Sequence, residues 1–383
     1  MSVVKPKTPR LVYVDAARGF AMALVCLAHF GIFHLASGGA PRAAELVSRM
    51  AQPATTTFML VSGAVVGMLF SQLGPSEELA SYFVDRGLFL LVPGHVLLYV
   101  AHLRVIALAP ASSHWLFVTD SIGVSLVAGA WLLPRTSSRT RLLVGLGLFA
   151  VSWAAYLVWF PSAELAIFIK NYCLGSRQSA RTGVIFPLLP WFGFYLMATA
   201  LGEKLSAWRA AGINVATRLA MLGLPLIVLS AILRLGRRLG THGILSPLLD
   251  LGQKYPPGPN YLLFGSGTAA LLIAACAWLE QKEHLTSLLD AAARVGRASF
   301  VVFVVQYFVY YWGFLVLDLR VTAWSPLYFV LSLGVNFSAA LLWERFGSNK
   351  YLTIGWPWFR RAPVSEPALP SAALTRRADG GKS

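Results

Sequence analysis

Ten stretches of about twenty predominantly apolar residues follow one another along this 383-residue chain, and they constrain its fold more than any other feature. They cover roughly 11–35, 53–73, 83–108, 115–134, 141–160, 184–202, 217–235, 261–279, 298–317 and 324–343. Each is long enough for one helical crossing of a hydrocarbon layer. Their apolar residues run continuously rather than alternating, which favours membrane helices over an outer-membrane barrel. Charged residues make up only 13% of the chain, about half the share usual in soluble domains, and 57% hydrophobic residues exclude intrinsic disorder. The expected fold is all-α: a polytopic transmembrane bundle of about ten helices. Residues 1–362 are expected to form one membrane-embedded domain, and 363–383, rich in Ala, Pro, Ser and Arg, a disordered cytoplasmic tail. The first stretch is full length and carries Asp15 and Arg18, so it is expected to be a retained helix rather than a cleaved signal.

Thirty-two Lys and Arg face sixteen Asp and Glu, a net charge of +16. With the N-terminus inside, twenty Lys and Arg fall in cytoplasmic segments and eleven outside, so both termini are expected to be cytoplasmic. The segment 236–260 is unusually basic for an outside loop. The basic excess is read as membrane flanks facing anionic lipid, not as a nucleic-acid surface, since no zinc, RNP or helix-turn-helix pattern occurs. Cys26, Cys173 and Cys276 are too far apart for a CxxC site. His95 and His102 fall short of the three or four ligands of a zinc site, so no metal is expected.

Polar groups within a membrane are costly and usually face the bundle interior. In the first stretch Asp15 and Arg18 are three apart and can pair. Eleven residues beyond Arg18, His29 returns to within about 20° of the same helical face, about 16 Å further on. A shielded imidazole there suits a general base, or a nucleophile toward an acyl group, once a partner orients it. His34 is expected at the outer interface. In the second stretch Gly63 and Gly67 signal close helix packing, and Ser62 could line a polar path. GxSxG, HExxH and GxxxxGK[ST] are absent.

Four segments together resemble a known family: RLVYVDAARGFAMALVCLAHF; FMLVSGAVVGMLF with FVDRGLFLL; FPLLPWFGFYLMATALGEKL; and QKYPPGPNYLLFGSGTAALL followed by RVGRASFVVFVVQYF. The set resembles the bacterial branch of the heparan-alpha-glucosaminide N-acetyltransferase catalytic-domain family, and more distantly the acyltransferase family 3 and OpgC-like membrane acyltransferases. The resemblance covers most of residues 10–320, in order. It implies a multi-pass protein of the bacterial inner membrane. Such a protein would move an acetyl or other acyl group from cytoplasmic acyl-CoA to a sugar or glycan at the opposite face, with no permanently bound cofactor. Asp15, Arg18 and Gly19 match the Asp-x-x-Arg-Gly element, and His29 matches the expected catalytic histidine, with His34 in reserve. Pro187, Pro190 and Trp191 match the sixth-span motif, and Tyr255, Pro256 and Pro257 a Tyr-Pro-Pro element. One position departs. Relatives often carry His near the middle of the GR-x-S…H helix, where this chain has Gln306. An amide hydrogen-bonds but cannot exchange a proton at neutral pH, so the position is either structural or marks altered chemistry.

CoA carries phosphates, and Arg18, Arg86, Arg294 and Arg297 are the candidate guanidinium partners. Ser62, Tyr255 and Asn260 are candidate donors to an oxyanion or to the acceptor, with His34, Trp191 and Gln306 as further substrate-side candidates. Two other readings remain open: a transporter or exporter of a small or lipid-linked molecule, and an inactive membrane scaffold.

Overall fold

The computed structural model describes residues 11–36, 38–108, 116–175, 186–238, 240, 243, 246–317 and 321–346. The tail expected from residue 363 lies outside them. Among the described residues there are helices and no strand. The first half of the chain holds α1 (Val12–Phe30), α2 (Pro41–Met50), α3 (Pro53–Leu73), α4 (Glu77–Phe89), α5 (His95–Leu108), α6 (Val118–Leu132), α7 (Ser138–Val158) and α8 (Glu164–Ile169). The second holds α9 (Leu188–Ala210), α10 (Val215–Arg238), α11 (Ser246–Leu249), α12 (Pro259–Gln281), α13 (Thr286–Arg297), α14 (Ser299–Gln306), α15 (Phe314–Leu317) and α16 (Ser325–Arg345).

Seven helical segments are by themselves long and apolar enough to cross a membrane: Val12–Ala36, Pro41–Leu73, Glu77–Leu103, Ser138–Val158, Val215–Arg238, Pro259–Gln281 and Ser325–Arg345. The other three expected stretches form α6, α9 and the α14–α15 segment. Within the third stretch Pro93 falls in a π-helical turn, Leu90–Gly94, so the chain stays helical where proline withholds its N–H. Four helices lie between the expected stretches and were not anticipated: the very short α8 and α11, and α2 and α13. Both α2 and α13 are short and strongly amphipathic, which disguises them in a search for apolar runs. On α13, Leu289, Ala292, Ala293, Val295 and Gly296 are buried while Arg294 faces out.

Small residues let the central helices touch backbone to backbone. A Cβ at Gly67 would collide with the Thr199 carbonyl of α9, and one at Gly202 with the Ala64 carbonyl of α3. The Gly63/Gly67 pair therefore marks the α3–α9 seam. Helices α1 and α13 meet the same way, with Gly19 against Ala292 and Gly296 against the Asp15 carbonyl. On the periphery α7, α10 and α16 expose Leu143, Val151, Val228, Ile232, Val330 and Val335, apolar faces suited to lipid. Inside this ring α3 lies against α1, α9 and α12, and the space beside it is the candidate site.

Candidate functional site

A cavity of about 1120 Å³ runs along α3. Thr55, Phe58, Ser62, Val65 and Leu69 line it at steps of three and four, so one helical face forms the wall over about 21 Å. That is a large part of the roughly 30 Å hydrocarbon depth of a bilayer. Arg18, Arg86 and Arg297 border it near the start of α1 and the end of α3. Glu45, Arg49, Gln52, Arg234, Arg237, Arg238, Asp250, Lys254 and Tyr255 border the opposite end. His29 lines the cavity between these groups.

The orienting partner of His29 is Gln306. Its side-chain oxygen accepts the hydrogen bond from His29 Nδ1. The amide orientation follows from its other end: Gln306 Nε2 donates to the Phe303 carbonyl at 3.1 Å, which turns Oε1 toward the histidine. A carbonyl oxygen only accepts, so Nδ1 carries the proton and Nε2 is the basic nitrogen of the neutral ring. The two residues occupy matching places. His29 lies two residues before a π-helical turn, Gly31–Ala36, and Gln306 directly precedes another, Tyr307–Gly313. Such turns recur at functional sites because they re-aim neighbouring side chains. The second supplies Tyr307 and Tyr311, which both line the cavity and stack with ring centroids 4.5 Å apart. Their rings lie 5.8 and 5.4 Å from that of His29.

The structure brings some of the sequence candidates together and separates others. Arg18, His29, Ser62, Arg86, Tyr255 and Arg297 all line the cavity, and Gln306 supports it through His29. Asp15 is buried beside Arg18 at 3.9 Å. Arg86 lies over the rings of Phe89 and Phe300, which fix its direction, whereas Arg297 is held by Glu344 of α16. Four candidates stand elsewhere. Arg294 is exposed on the outer face of α13, because α13 buries its opposite face against α1. His34, expected in a solvated interface, is fully buried and hydrogen-bonds Ser325 Oγ at 2.9 Å, since the π-helical turn after α1 carries it inward. Asn260 is buried outside the cavity wall. It accepts from Ser230 Oγ and donates to the Leu249 carbonyl at 2.7 Å, tying α12 to α10 and α11. Trp191 stands behind the wall, packed on Phe186 and Tyr261, two residues that do line the cavity.

Sequence reasoning missed Tyr307, Tyr311, Phe58 and the basic end of α10. Only α10 carried a signal, the charge of 236–260. It also missed a histidine–carboxylate pair next to the cavity, His95 Nδ1 to Asp120 Oδ2 at 3.0 Å. Asp120 also accepts from the Phe117 backbone N–H at 2.7 Å, which places it at the first turn of α6.

The sequence pattern of the family described as heparan-alpha-glucosaminide N-acetyltransferase, catalytic, matches residues 10–232. Arg18, His29, Ser62, Arg86 and Trp191 lie within that match, whereas Tyr255, Arg297 and Gln306 lie beyond it. Comparison with curated protein sequences gave no match. More than half of the chain falls within the family's pattern, its helices suit a multi-pass membrane protein, and the chain belongs to the heparan-alpha-glucosaminide N-acetyltransferase catalytic family, a family of membrane acetyltransferases.

Proposed function

We propose that this membrane acetyltransferase takes an acetyl group from acyl-CoA at the Arg18 end of the cavity and delivers it to a sugar or glycan acceptor entering from the opposite end. The observation that carries this reading is the continuous cavity with the Arg18 and Arg86 guanidinium groups at one end, further cations at the other, and an oriented histidine between them. Arg18 and Arg86 offer planar, permanently charged groups of the kind that hold CoA phosphates. With Nδ1 engaged by Gln306, His29 Nε2 takes the proton from the acceptor amine or hydroxyl as that atom attacks the thioester carbon. The new C–N or C–O bond forms, the C–S bond breaks, and the proton passes from Nε2 to the departing CoA thiolate. Ser62 and Tyr255, which both line the cavity, are the sequence candidates left as oxyanion donors.

The test is transfer of radiolabelled acetyl from acetyl-CoA to an envelope extract by purified protein in detergent. Loss of a general base costs about 10²–10⁴ in rate, so His29→Ala should fall by at least 100-fold while retaining CoA binding. Unchanged turnover in His29→Ala would reject the assignment. Flux of solute into vesicles without any acyl donor would favour a transporter instead.

A further inference from the structure

The basic residues that the sequence places awkwardly outside converge on the end of the cavity away from Arg18. Five cations border that mouth: Arg49, Arg234, Arg237, Arg238 and Lys254. Among the described residues two acids do, and each is already engaged: Glu45 with Arg49 at 2.6 Å, and Asp250 with Arg237 at 2.6 Å. Lys254 lies over the rings of Phe186 and Tyr255 at 5.5 and 5.4 Å, which aim its ammonium group. No Asp or Glu occurs anywhere from Lys204 to Leu249, so the stretch leading into this mouth supplies no counter-charge of its own. A positive cluster on a face that the chain's charge bias assigns to the outside works against the usual distribution and needs a local cause.

Location narrows the cause. Arg234, Arg237 and Arg238 are spaced three and four apart at the end of α10, so they share one face. The rest of α10 exposes Met221, Leu224, Val228, Ile232 and Leu235, and α10 is the most apolar and least buried of the seven long apolar segments. The cations therefore stand where a bilayer's headgroup layer would meet the cavity. Guanidinium groups bind phosphate oxygens bidentately, and an apolar tail could rest along α10 while a sugar reaches toward His29.

We propose that the mouth bordered by Arg234, Arg238 and Lys254 is a phosphate site for the acceptor, and that the acceptor is a sugar carried on a lipid phosphate. This rests on the acetyl-transfer reading for what happens next, but the binding site is testable without it. Protein in nanodiscs is titrated with three probes in the absence of acetyl-CoA: glucosamine, glucosamine 1-phosphate, and glucosamine linked to a polyprenyl phosphate. The lipid-linked probe should bind at least tenfold more tightly than glucosamine, with affinity falling as salt rises. The double variant Arg234→Ala/Arg238→Ala should remove most of that advantage and leave CoA binding unchanged, while the charge-retaining pair Arg234→Lys/Arg238→Lys should keep part of it.

Equal binding of glucosamine and both phosphate probes would overturn the phosphate site. Equal binding of the two phosphate probes would overturn the lipid anchor. Loss of CoA binding in the alanine pair would assign the mouth to the donor and overturn the proposal. Phosphate-dependent binding without acetyl transfer by the wild-type protein would support the site and reject the acetyl-transfer reading, so the two fail separately.

Discussion

At the scale of single residues the proposed chemistry rests on the pair His29–Gln306. Gln306 is the place where the chain departs from the relatives it resembles, and it supplies the hydrogen-bond acceptor that the histidine needs. An amide has no proton to exchange at neutral pH, so its contribution is to hold one tautomer and one ring orientation. Gln306→Leu should therefore lower kcat by about 10–100-fold with little change in acyl-CoA binding, because Nδ1 loses its acceptor while the cavity keeps its arginines. Gln306→Glu separates orientation from packing. A carboxylate at that place favours the protonated ring, the base form is then reached only at higher pH, and the acid limb of the kcat/KM profile should move upward. An unmoved limb, with Gln306→Leu as active as wild type, would leave Gln306 a packing residue.

At the scale of elements, close helix approach and local widening together place the site. The seam between α3 and α9 depends on the absence of side chains at Gly67 and Gly202. Either Gly67→Val or Gly202→Val forces a methyl-bearing carbon into a backbone carbonyl and should destabilise the protein by about 3 kcal/mol or more. Thermal melting in detergent, followed by loss of the monodisperse species, reads this directly. Gly334→Ala on the lipid-facing α16, where an added Cβ meets open space, should melt like wild type. Equal stability in all three variants would show that the seam has room. The π-helical turns after His29 and Gln306 act at the same scale. They turn His34 into the core beside Ser325 and present Tyr307 and Tyr311 to the cavity.

At the scale of the molecule the proposed transfer requires its donor and acceptor ends to lie on opposite sides of the membrane, which makes orientation a test of that reading. The charge bias places the segments following Arg139 and Arg209 in the cytoplasm and that following Ser179 outside. Fusions of a cytoplasm-active and an exterior-active reporter at these three positions should show that pattern. The reverse pattern would put Arg18 and Arg86 outside and remove the cytoplasmic route for acyl-CoA.

Much of this molecule follows from the sequence alone because membrane helices are specified locally. About twenty apolar residues in a row are enough to require a helix wherever water is absent, whatever the neighbours do. The run of Asp15, Arg18 and His29 along one face was legible because a single helix fixes its own periodicity. Gly63 and Gly67 likewise announced a seam. What tertiary structure alone decided is which faces meet. Gln306 is 277 residues from His29, and no local pattern pairs them. His34 looked interfacial until a widened turn buried it, and Arg294 looked equivalent to Arg297 until the amphipathic face of α13 turned one outward and the other to the cavity rim. The basic end of α10 was visible as charge, yet its meaning came only from its place at the cavity mouth. Hydropathy is a property of each segment, whereas a site is made by contacts between segments distant in the chain, and only their packing sets those contacts.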